Sequence, residues 1–514
     1  MTDKHPFELS SDPSRRDALK AIGFGIGAGA FLTSLSSCDK PEKMNVPISE
    51  LKDPIYYSSA TAIAKAIKSK KISSEEITKI YLDRISSVNP KINAVVQLVA
   101  DQALTSARNA DNALANGEDF GPLHGVPMTI KDSFDTAGII STAGTLGRSN
   151  YIPEEDATVV SRLKNAGAIL MGKTNTPELT MAGSTDNLVY GQTNNPYNLN
   201  HSPGGSSGGA AAIVSAGGSS FDIGTDTGGS IRNPAHSCGI CGLKPTSGRV
   251  PRTGHIISFE GYDQSLTTVG PITRYVEDLI TILPIISGSD GIDPYIYDIA
   301  VGDPDKIEVS QLKFAFYSDN GIASPIPEVV QVIRKVADEM ANNAASIVET
   351  RPEGIEQTLD LWLEVLETDK NYGLNKVLTK AGTKTLSPFL TYLDDFKDFE
   401  SPIISPRQFH EIFENWSLCR SRMAEFFTDY DIILCPVSNI PAHPHGFEEM
   451  FDLISYTTTY NLTGWPIAVV RVGVSSDGLP IGIQIVGKPW QEDKVLAVAK
   501  FLETKFGGFQ PPVI

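Results

Sequence analysis

Cysteine is scarce in this chain of 514 residues, which has five: Cys38, Cys238, Cys241, Cys419 and Cys435. So few in so long a chain provide no disulfide framework. Cys238 and Cys241 form a C-x-x-C pair, but no second pair completes a zinc site, so we interpret both as buried free thiols. No other cluster of metal-ligating residue types stands out in the sequence. We therefore expect neither a metal nor a cofactor.

Positive charge is also in deficit, because 43 lysines and arginines oppose 61 aspartates and glutamates and leave a formal net charge of −18. A nucleic-acid partner requires a basic face, so we expect none. No fixed-period repeat and no P-loop pattern occurs in the sequence. With 41% hydrophobic and 20% charged residues, the composition is that of a globular protein with a sizeable core.

Residues 1–38 are predicted to be an export signal rather than part of the fold. Arg15 and Arg16 precede an apolar run from Ala21 to about Leu35 that is rich in glycine and alanine. The run is shorter than the about 20 residues of a membrane-spanning helix, and its charged start and small-residue end are typical of a signal peptide. Because the arginine pair resembles a twin-arginine signal, we expect export to the periplasm or cell envelope.

The end of this signal, Leu35-Ser36-Ser37-Cys38, resembles a bacterial lipoprotein box. We therefore expect acylation of Cys38 and attachment to a membrane, because acyl chains anchor a protein by burying their methylene groups. Ordinary cleavage near Ser36 or Ser37 is the alternative. Residues 39–55 are polar and contain three prolines, which predicts a tether between the anchor and the folded domain.

Residues 56–510 are predicted to form an α/β domain with a large mixed β-sheet sandwiched between helices. Short apolar segments that predict strands alternate there with segments of helical periodicity. The predicted strands include residues 127–131, 168–171, 432–434, 466–470 and 481–486, and the predicted helices include 158–166, 208–216, 329–344 and 493–501. Residues 285–425 are richer in charge and aromatic side chains and predict a variable helical cover.

The stretch from Ser202 to Val250 carries the most specific pattern in the chain. It contains Ser202-Pro203-Gly204-Gly205-Ser206-Ser207-Gly208-Gly209 and, further on, Gly224-Thr225-Asp226-Thr227-Gly228-Gly229-Ser230-Ile231-Arg232. A glycine pair lets successive backbone N–H groups turn toward one point, where they bind an anion. Because Ser230 follows such a pair, the anion expected here is the oxyanion that forms when a serine attacks a carbonyl.

A serine hydroxyl needs a base before it acts as a nucleophile, and no histidine in this stretch is well placed to be one. Lys131, at the end of a predicted strand, is the alternative, because burial lowers the pKa of a lysine and leaves a neutral amine. Ser206 is expected to pass the proton between Ser230 and Lys131. The opposite charges of Asp226 and Arg232 are expected to pair and to support the loop around the nucleophile.

The chain resembles the amidase signature family of serine amidases over about residues 55–505. The resemblance rests on the stretch from 202 to 250 and on three further segments: Gly121-Pro122-Leu123-His124-Gly125-Val126-Pro127 leading to Ile130-Lys131-Asp132, Lys173-Thr174-Asn175, and Asn461-Leu462-Thr463-Gly464-Trp465-Pro466. It implies hydrolysis of a carbon–nitrogen amide bond, on the α/β fold of that family, within a signature region of residues 121–255. The implied partner is a small-molecule or peptide amide, and peptide C-terminal, fatty-acyl and small aliphatic or aryl amides all stay open.

The resemblance also implies a role for each matching position. Ser230 corresponds to the nucleophile, Ser206 to a bridging serine that follows a cis peptide bond, and Lys131 to the general base. The oxyanion hole corresponds to the backbone N–H groups of Thr227, Gly228, Gly229 and Ser230. A loop that lines the substrate channel corresponds to Thr180, Met181, Ala182 and Gly183.

Three other interpretations of the sequence compete with this one. Gly205-Ser206-Ser207-Gly208-Gly209 also fits the G-x-S-x-G elbow of α/β-hydrolases, which would make Ser207 the nucleophile of an esterase with His443 or His445 as its base. The chain could instead be the glutaminase subunit of an amidotransferase, although the predicted export signal disfavours that role. An inactive scaffold is disfavoured because all three catalytic positions are intact.

Overall fold

A computed structural model of the chain describes residues 51–259, 266–369, 371–390, 404–447 and 449–514. The predicted export signal, the predicted lipidation site Cys38 and most of the predicted tether lie outside the described residues. Residues 51–54 are exposed, and a short 3-10 helix, Ile55–Tyr57, leads into the folded domain.

The strands alternate with helices along the chain, which confirms the predicted α/β class. The strands of the described residues are β1 (Val95–Leu98), β2 (Pro127–Lys131), β3 (Ile169–Thr174), β4 (Phe221–Asp226), β5 (Cys241–Lys244), β6 (Thr268–Thr273), β7 (Lys313–Phe316), β8 (Ser346–Glu349), β9 (Ile432–Pro436), β10 (Ile467–Val474) and β11 (Pro480–Gly487).

The helices of eight or more residues in the described part of the chain are α1 (Ala60–Lys68), α2 (Ser74–Ile92), α3 (Ala100–Ala115), α4 (Thr158–Asn165), α5 (Gly208–Ser215), α7 (Val276–Ile286), α8 (Pro327–Ala341), α9 (Thr358–Leu366), α10 (Tyr372–Ala381), α11 (Pro406–Phe426), α12 (Met450–Thr463) and α13 (Glu492–Phe506); the shorter α6 is Arg232–Ser237. Ser73 caps α2 by accepting a hydrogen bond from the N–H of Glu76 at 3.0 Å, as its sequence pattern predicts. None of the described helices is both long and apolar enough to span a bilayer.

An eight-stranded mixed sheet forms the centre of the fold, with the strand order β4-β6-β5-β10-β11-β9-β7-β8. Neighbours from β4 to β9 are antiparallel, whereas β9, β7 and β8 are parallel. A turn at Asp477-Gly478 joins β10 to β11, where Gly478 N–H donates to Ser475 O at 3.0 Å. Strands β10 and β11 are almost wholly buried, which explains their continuous apolar sequence.

The strand that ends at Lys131 does not belong to the large sheet. It forms a separate three-stranded sheet in the order β1-β3-β2. The two sheets meet through side chains, because Asp222 on β4 accepts hydrogen bonds from the hydroxyls of Thr129 on β2, at 2.6 Å, and Thr174 on β3, at 3.1 Å. This junction places the end of β2 beside the end of β4, from which the Ser230 loop departs.

The predicted helical cover, residues 285–425, contains helices α8 to α10 and most of α11, together with two short strands that the sequence analysis did not predict. Strands β7 and β8 lie within it and complete one edge of the large sheet. Each strand has four residues, and a short apolar run such as Phe314-Ala315-Phe316 cannot be distinguished from part of a buried helix by its periodicity. Its three residues are buried against β9.

Candidate active site

Lys131 lies at the end of β2 with its amine buried among three hydroxyl groups. Its Nζ is 2.8 Å from Ser206 Oγ, 2.9 Å from Thr225 Oγ1 and 3.0 Å from Ser207 Oγ. A neutral amine has two N–H groups and one lone pair, so it satisfies three hydroxyls by donating to two and accepting from the third. These three contacts satisfy an ammonium that donates to every hydroxyl, and equally an uncharged amine that accepts a proton from one of them.

The electrostatic environment of Lys131 favours the uncharged amine. Burial lowers the pKa of Lys131 from its ordinary 10.5 to about 7, while the negative charges of Asp222 and Asp226 oppose the shift. Burial also raises the pKa of Asp222 to about 7, although the hydroxyls of Thr129 and Thr174 and a backbone N–H favour its charged form. Lys131 and Asp222 thus titrate as neighbours in one buried region.

The serine pair connects this amine to the Ser230 loop. The peptide bond between Gly205 and Ser206 is cis, as the resemblance implies. Ser207 immediately precedes α5, and its N–H donates to the carbonyl of Ser230 at 3.3 Å. The backbone of Ser230 therefore lies directly against the two serines that contact Lys131.

Residues 227–230 form a loop between β4 and α6, and the direction of each peptide group in it is fixed by a hydrogen bond. The carbonyl of Thr227 accepts from Trp362 Nε1 at 3.1 Å, and the carbonyl of Gly228 accepts from Thr457 Oγ1 at 2.6 Å. The carbonyl of Gly229 accepts from the N–H of Asn233 at 2.7 Å. Because carbonyl and N–H point to opposite sides of a trans peptide, these contacts also set the directions of the N–H groups that follow.

One of the four expected oxyanion donors is already engaged. The N–H of Gly229 donates to Asp226 Oδ1 at 2.9 Å, so the expectation that all four N–H groups serve the oxyanion is corrected for this residue. The physical reason is the glycine itself, whose φ of +126° turns its N–H back toward the carboxylate. For Thr227, Gly228 and Ser230 the role that the resemblance implies stays a prediction.

Asp226 and Arg232 form the expected ion pair, at 2.8 Å, with both side chains fully buried. Burial alone would raise the pKa of Asp226, but the charge and hydrogen bonds of Arg232 outweigh it and hold that pKa well below its usual range. The pair extends to the C-terminal part of the chain, because Arg232 also donates to Asn461 Oδ1 at 2.6 Å and to Gln484 Oε1 at 2.8 Å. These contacts fix both ends of the Ser230 loop.

A cavity of about 530 Å³ opens beside Ser230. The four residues expected to line the substrate channel, Thr180 to Gly183, form part of its wall together with residues 227–230. Apolar side chains form most of the remaining wall: Trp362, Leu363, Leu366, Phe389, Phe447, Met450, Phe451 and Ile454. The structure therefore brings Ser230 and the predicted substrate loop to one cavity, whose lining residues do not include the buried Lys131 and Ser206.

The structure contradicts the alternative in which Ser207 is the nucleophile. Ser207 is fully buried, and no strand precedes it within residues 202–206, whereas an elbow requires one. Its Oγ contacts Lys131 rather than a histidine. His443 Nε2 lies 3.5 Å from Ser184 Oγ, and its Nδ1 lies 3.0 Å from the carbonyl of Pro444, so its ring contacts these groups rather than Ser207.

Sequence reasoning missed several residues of this site. Thr225 contacts the amine of Lys131, Asp222 joins the two sheets beneath it, and Trp362 and Thr457 orient the Ser230 loop. Asp222 and Thr225 stand in a predicted signature region, where a buried carboxylate in an apolar strand is a usable signal. The other two lie more than 130 residues beyond the loop, and nothing in their local sequence indicates this contact.

Comparisons with known proteins agree with this geometry. A family described as Amidase matches residues 76–496. The A subunit of glutamyl-tRNA(Gln) amidotransferase from Moorella thermoacetica is 34% identical over 478 residues, which cover 87% of this chain and 96% of that protein. Among solved structures, fatty acid amide hydrolase matches with a TM-score of 0.80 at 25% identity, and the match covers 90% of this chain and 87% of that chain. For 6-aminohexanoate cyclic dimer hydrolase the TM-score is 0.79 at 26% identity, and the match covers 88% of this chain and 97% of that chain. This chain belongs to the amidase signature family of amide hydrolases.

Proposed function

We propose that the protein hydrolyses the C–N bond of a linear carboxylic amide through an acyl-enzyme on Ser230. The Ser230 hydroxyl gives its proton through Ser206 to neutral Lys131 while its Oγ bonds to the carbonyl carbon. The C–N bond then breaks, and the same proton returns through Ser206 to the leaving nitrogen, which departs as ammonia or an amine. Water next attacks the acyl carbon and gives a proton to Lys131. As the bond between that carbon and Ser230 Oγ breaks, the proton passes through Ser206 to Ser230, which releases the carboxylic acid and restores neutral Lys131.

The observation that carries the proposal is the contact between Lys131 Nζ and Ser206 Oγ, at 2.8 Å, at the end of a fully buried lysine side chain. A charged lysine could not accept a proton, but burial lowers its pKa to about 7 and leaves a large neutral fraction at neutral pH. The backbone N–H groups of Thr227, Gly228 and Ser230 supply the oxyanion hole in this scheme. Loss of one such donor typically costs about 2.7–4 kcal/mol of barrier.

The proposal is tested with a fluorophosphonate, which bonds covalently to an activated serine. Mass spectrometry should find the label on Ser230, and Ser230→Ala should show neither labelling nor amide hydrolysis. Ser206→Ala and Lys131→Met should slow labelling by at least 100-fold with folding retained. Ser215→Ala provides the control, because Ser215 is a buried serine on α5. Labelling of another residue, or full activity in Ser230→Ala, would contradict the scheme.

A second candidate is the catalytic subunit of an amidotransferase, in which released ammonia passes to a partner. The 34% identity to the A subunit of glutamyl-tRNA(Gln) amidotransferase, over 96% of that protein, favours it. Glutamine hydrolysis should then exceed that of all other amides and should rise when partner subunits are added. Equal turnover with and without those subunits would instead indicate an amidase that acts without partner subunits.

Export and lipid attachment at Cys38 are also part of the proposal, and the sequence from Ser14 to Cys38 supports them. Wild-type protein expressed in a bacterial host should incorporate a radiolabelled fatty acid and sediment with membranes. Cys38→Ala should lose the label and become soluble while its amide hydrolysis is unchanged. Recovery of unlabelled wild type from the cytoplasm would refute this part alone.

A further inference from the structure

We infer that the cavity beside Ser230 takes amides with an apolar acyl group, and that Trp362 in its wall is a positioning residue for the oxyanion hole. The inference rests on the proposed function and adds to it a substrate class and a residue outside the signature region. Two independent observations carry it: the chemistry of the cavity wall and the hydrogen bond from the indole of Trp362.

The cavity wall is apolar over most of its extent. Leu363, Leu366, Phe389, Phe451 and Ile454 contribute to it, and its volume of about 530 Å³ lies within the usual range for small-molecule sites. Glu367 is the charged residue among the cavity's lining residues in the described part of the chain. An acyl group that bears a carboxylate would have to shed its hydration against this apolar wall, which is unfavourable. An aliphatic or aromatic acyl group instead gains free energy by leaving water.

Trp362 connects this wall to the chemistry. It lies on α9, within the variable cover, and is 7% exposed. Its Nε1 donates to the carbonyl of Thr227 at 3.1 Å, and its ring packs so closely on Gly228 that a Cβ added there would lie 2.9 Å from Cζ2. The residue that borders the bound acyl group therefore also holds the first peptide of the oxyanion loop.

The consequence of this hydrogen bond follows from the geometry of a peptide group. Because the Thr227 carbonyl points at the indole, the N–H of Gly228 in the same peptide points to the opposite side. Thr457 Oγ1 holds the next carbonyl, at 2.6 Å, and Asp226 holds the next N–H, at 2.9 Å. Without the indole N–H, the peptide between Thr227 and Gly228 loses its side-chain restraint, and the N–H of Gly228 is less well oriented when the oxyanion forms.

Trp362→Phe tests the positioning role, because it keeps an aromatic wall and removes the donor. We expect kcat to fall roughly tenfold, less than the 10²–10³-fold loss for deleting a donor outright, with KM changed less than twofold. The Ki of a trifluoromethyl ketone that forms an oxyanion on Ser230 should rise by a similar factor, and the Ki of the product acid should not. If Trp362→Phe weakens the binding of substrate and of the product acid but leaves kcat unchanged, the positioning role of Trp362 is overturned.

The chain offers a matched control in Trp416, another buried tryptophan, whose Nε1 donates at 2.8 Å to the carbonyl of Leu462 rather than to a carbonyl of residues 227–230. Trp416→Phe should lower thermal stability in the same way but leave kcat within twofold. Equal losses of kcat in the two variants would show a general effect of stability and would overturn the inference. If Trp362→Phe does not fold, Thr457→Val takes its place: a lower kcat at constant KM supports the positioning of this loop, and an unchanged kcat refutes it.

The substrate class is tested with a series of primary amides from acetamide to hexanamide, together with phenylacetamide and glutamine, on the full-length wild type. Each added methylene should raise kcat/KM about fourfold until the cavity is filled, and glutamine should be the poorest substrate of similar size. A flat or falling series, or a preference for glutamine, would overturn the apolar class. Absence of fluorophosphonate labelling at Ser230 would instead refute the proposed function, so the two failures are distinguishable.

Discussion

The reactivity of Ser230 should follow the charge of Lys131. With a pKa lowered by burial to about 7, Lys131 is uncharged in about 90% of molecules at pH 8, about 50% at pH 7 and about 10% at pH 6. The second-order rate constant for fluorophosphonate labelling should therefore fall about fivefold from pH 7 to pH 6 and level off above about pH 8. This rate constant, measured from pH 5 to 10, reports acylation without any contribution from product release.

Asp222→Asn supplies the perturbation that identifies the titrating group. The negative charge of Asp222 raises the pKa of Lys131, so its removal should lower that pKa further and move the acid limb of the profile to lower pH. An asparagine keeps the size of the side chain and one oxygen that can accept from Thr129. Asp305→Asn is the control, because Asp305 is an exposed carboxylate paired with Lys500 and should leave the profile in place.

Two results would refute this reasoning. A labelling rate that keeps rising tenfold per pH unit up to pH 10 would mean that Lys131 retains an ordinary pKa, and so that its burial does not generate the base. An acid limb that disappears in Asp222→Asn would mean that the carboxylate itself is the group that must lose a proton. The first outcome would refute the lowered pKa of Lys131, and the second would assign the acid limb to Asp222.

Other consequences concern stability and the loop. The pKa of Lys131 is lower in the folded than in the unfolded state, so the unfolded state binds more protons between about pH 7 and 10.5 and this lysine favours folding more as pH rises through that window. In urea unfolding, the stability of wild type relative to Lys131→Met should increase by about 2 kcal/mol from pH 7 to pH 9, and parallel pH profiles would contradict the buried-amine argument. Asp226→Asn leaves Arg232 charged and buried without its partner and should cost about 3–5 kcal/mol in the same assay; a loss below about 1 kcal/mol would contradict the role of the pair. Gly229→Ala should abolish amide hydrolysis, because its φ is +126° and the new Cβ would lie 2.5 Å from a threonine hydroxyl, whereas Gly478→Ala, at a φ of +79° with open space around it, should lose stability but keep kcat.

The local parts of the site could be predicted from the sequence because their signals are local. Glycines before Ser230, the adjacent Asp226 and Arg232, and the apolar strand that ends at Lys131 each have a direct physical interpretation within a few residues. The same holds for β10 and β11, where two long apolar runs flank a turn. The family resemblance added the roles of individual positions, and the contact between Lys131 and Ser206 agrees with them.

Other features could not be predicted because they depend on contacts that are distant in sequence. Strands β7 and β8 have four residues each, so only pairing with β9 distinguishes them from the helices of the cover. The separation of β2 from the large sheet depends on where Asp222 meets Thr129, 93 residues away in the chain. The φ angles of the two glycines decide which of their N–H groups faces Asp226. Glycine permits many φ angles, so the sequence does not determine which of them occur.

The bonds that Thr457 and Asn461 make to the Ser230 loop have a consequence for the ribosome-bound chain. Lys131, Ser206 and Ser230 are all synthesised before residue 231, whereas α12, which carries both of these side chains, is made more than 200 residues later. A nascent or truncated polypeptide that stops before this helix therefore has every reactive group but lacks these two donors to the loop. The chain therefore becomes able to hydrolyse amides only near the end of translation, and Ser230 should be unreactive in incomplete fragments.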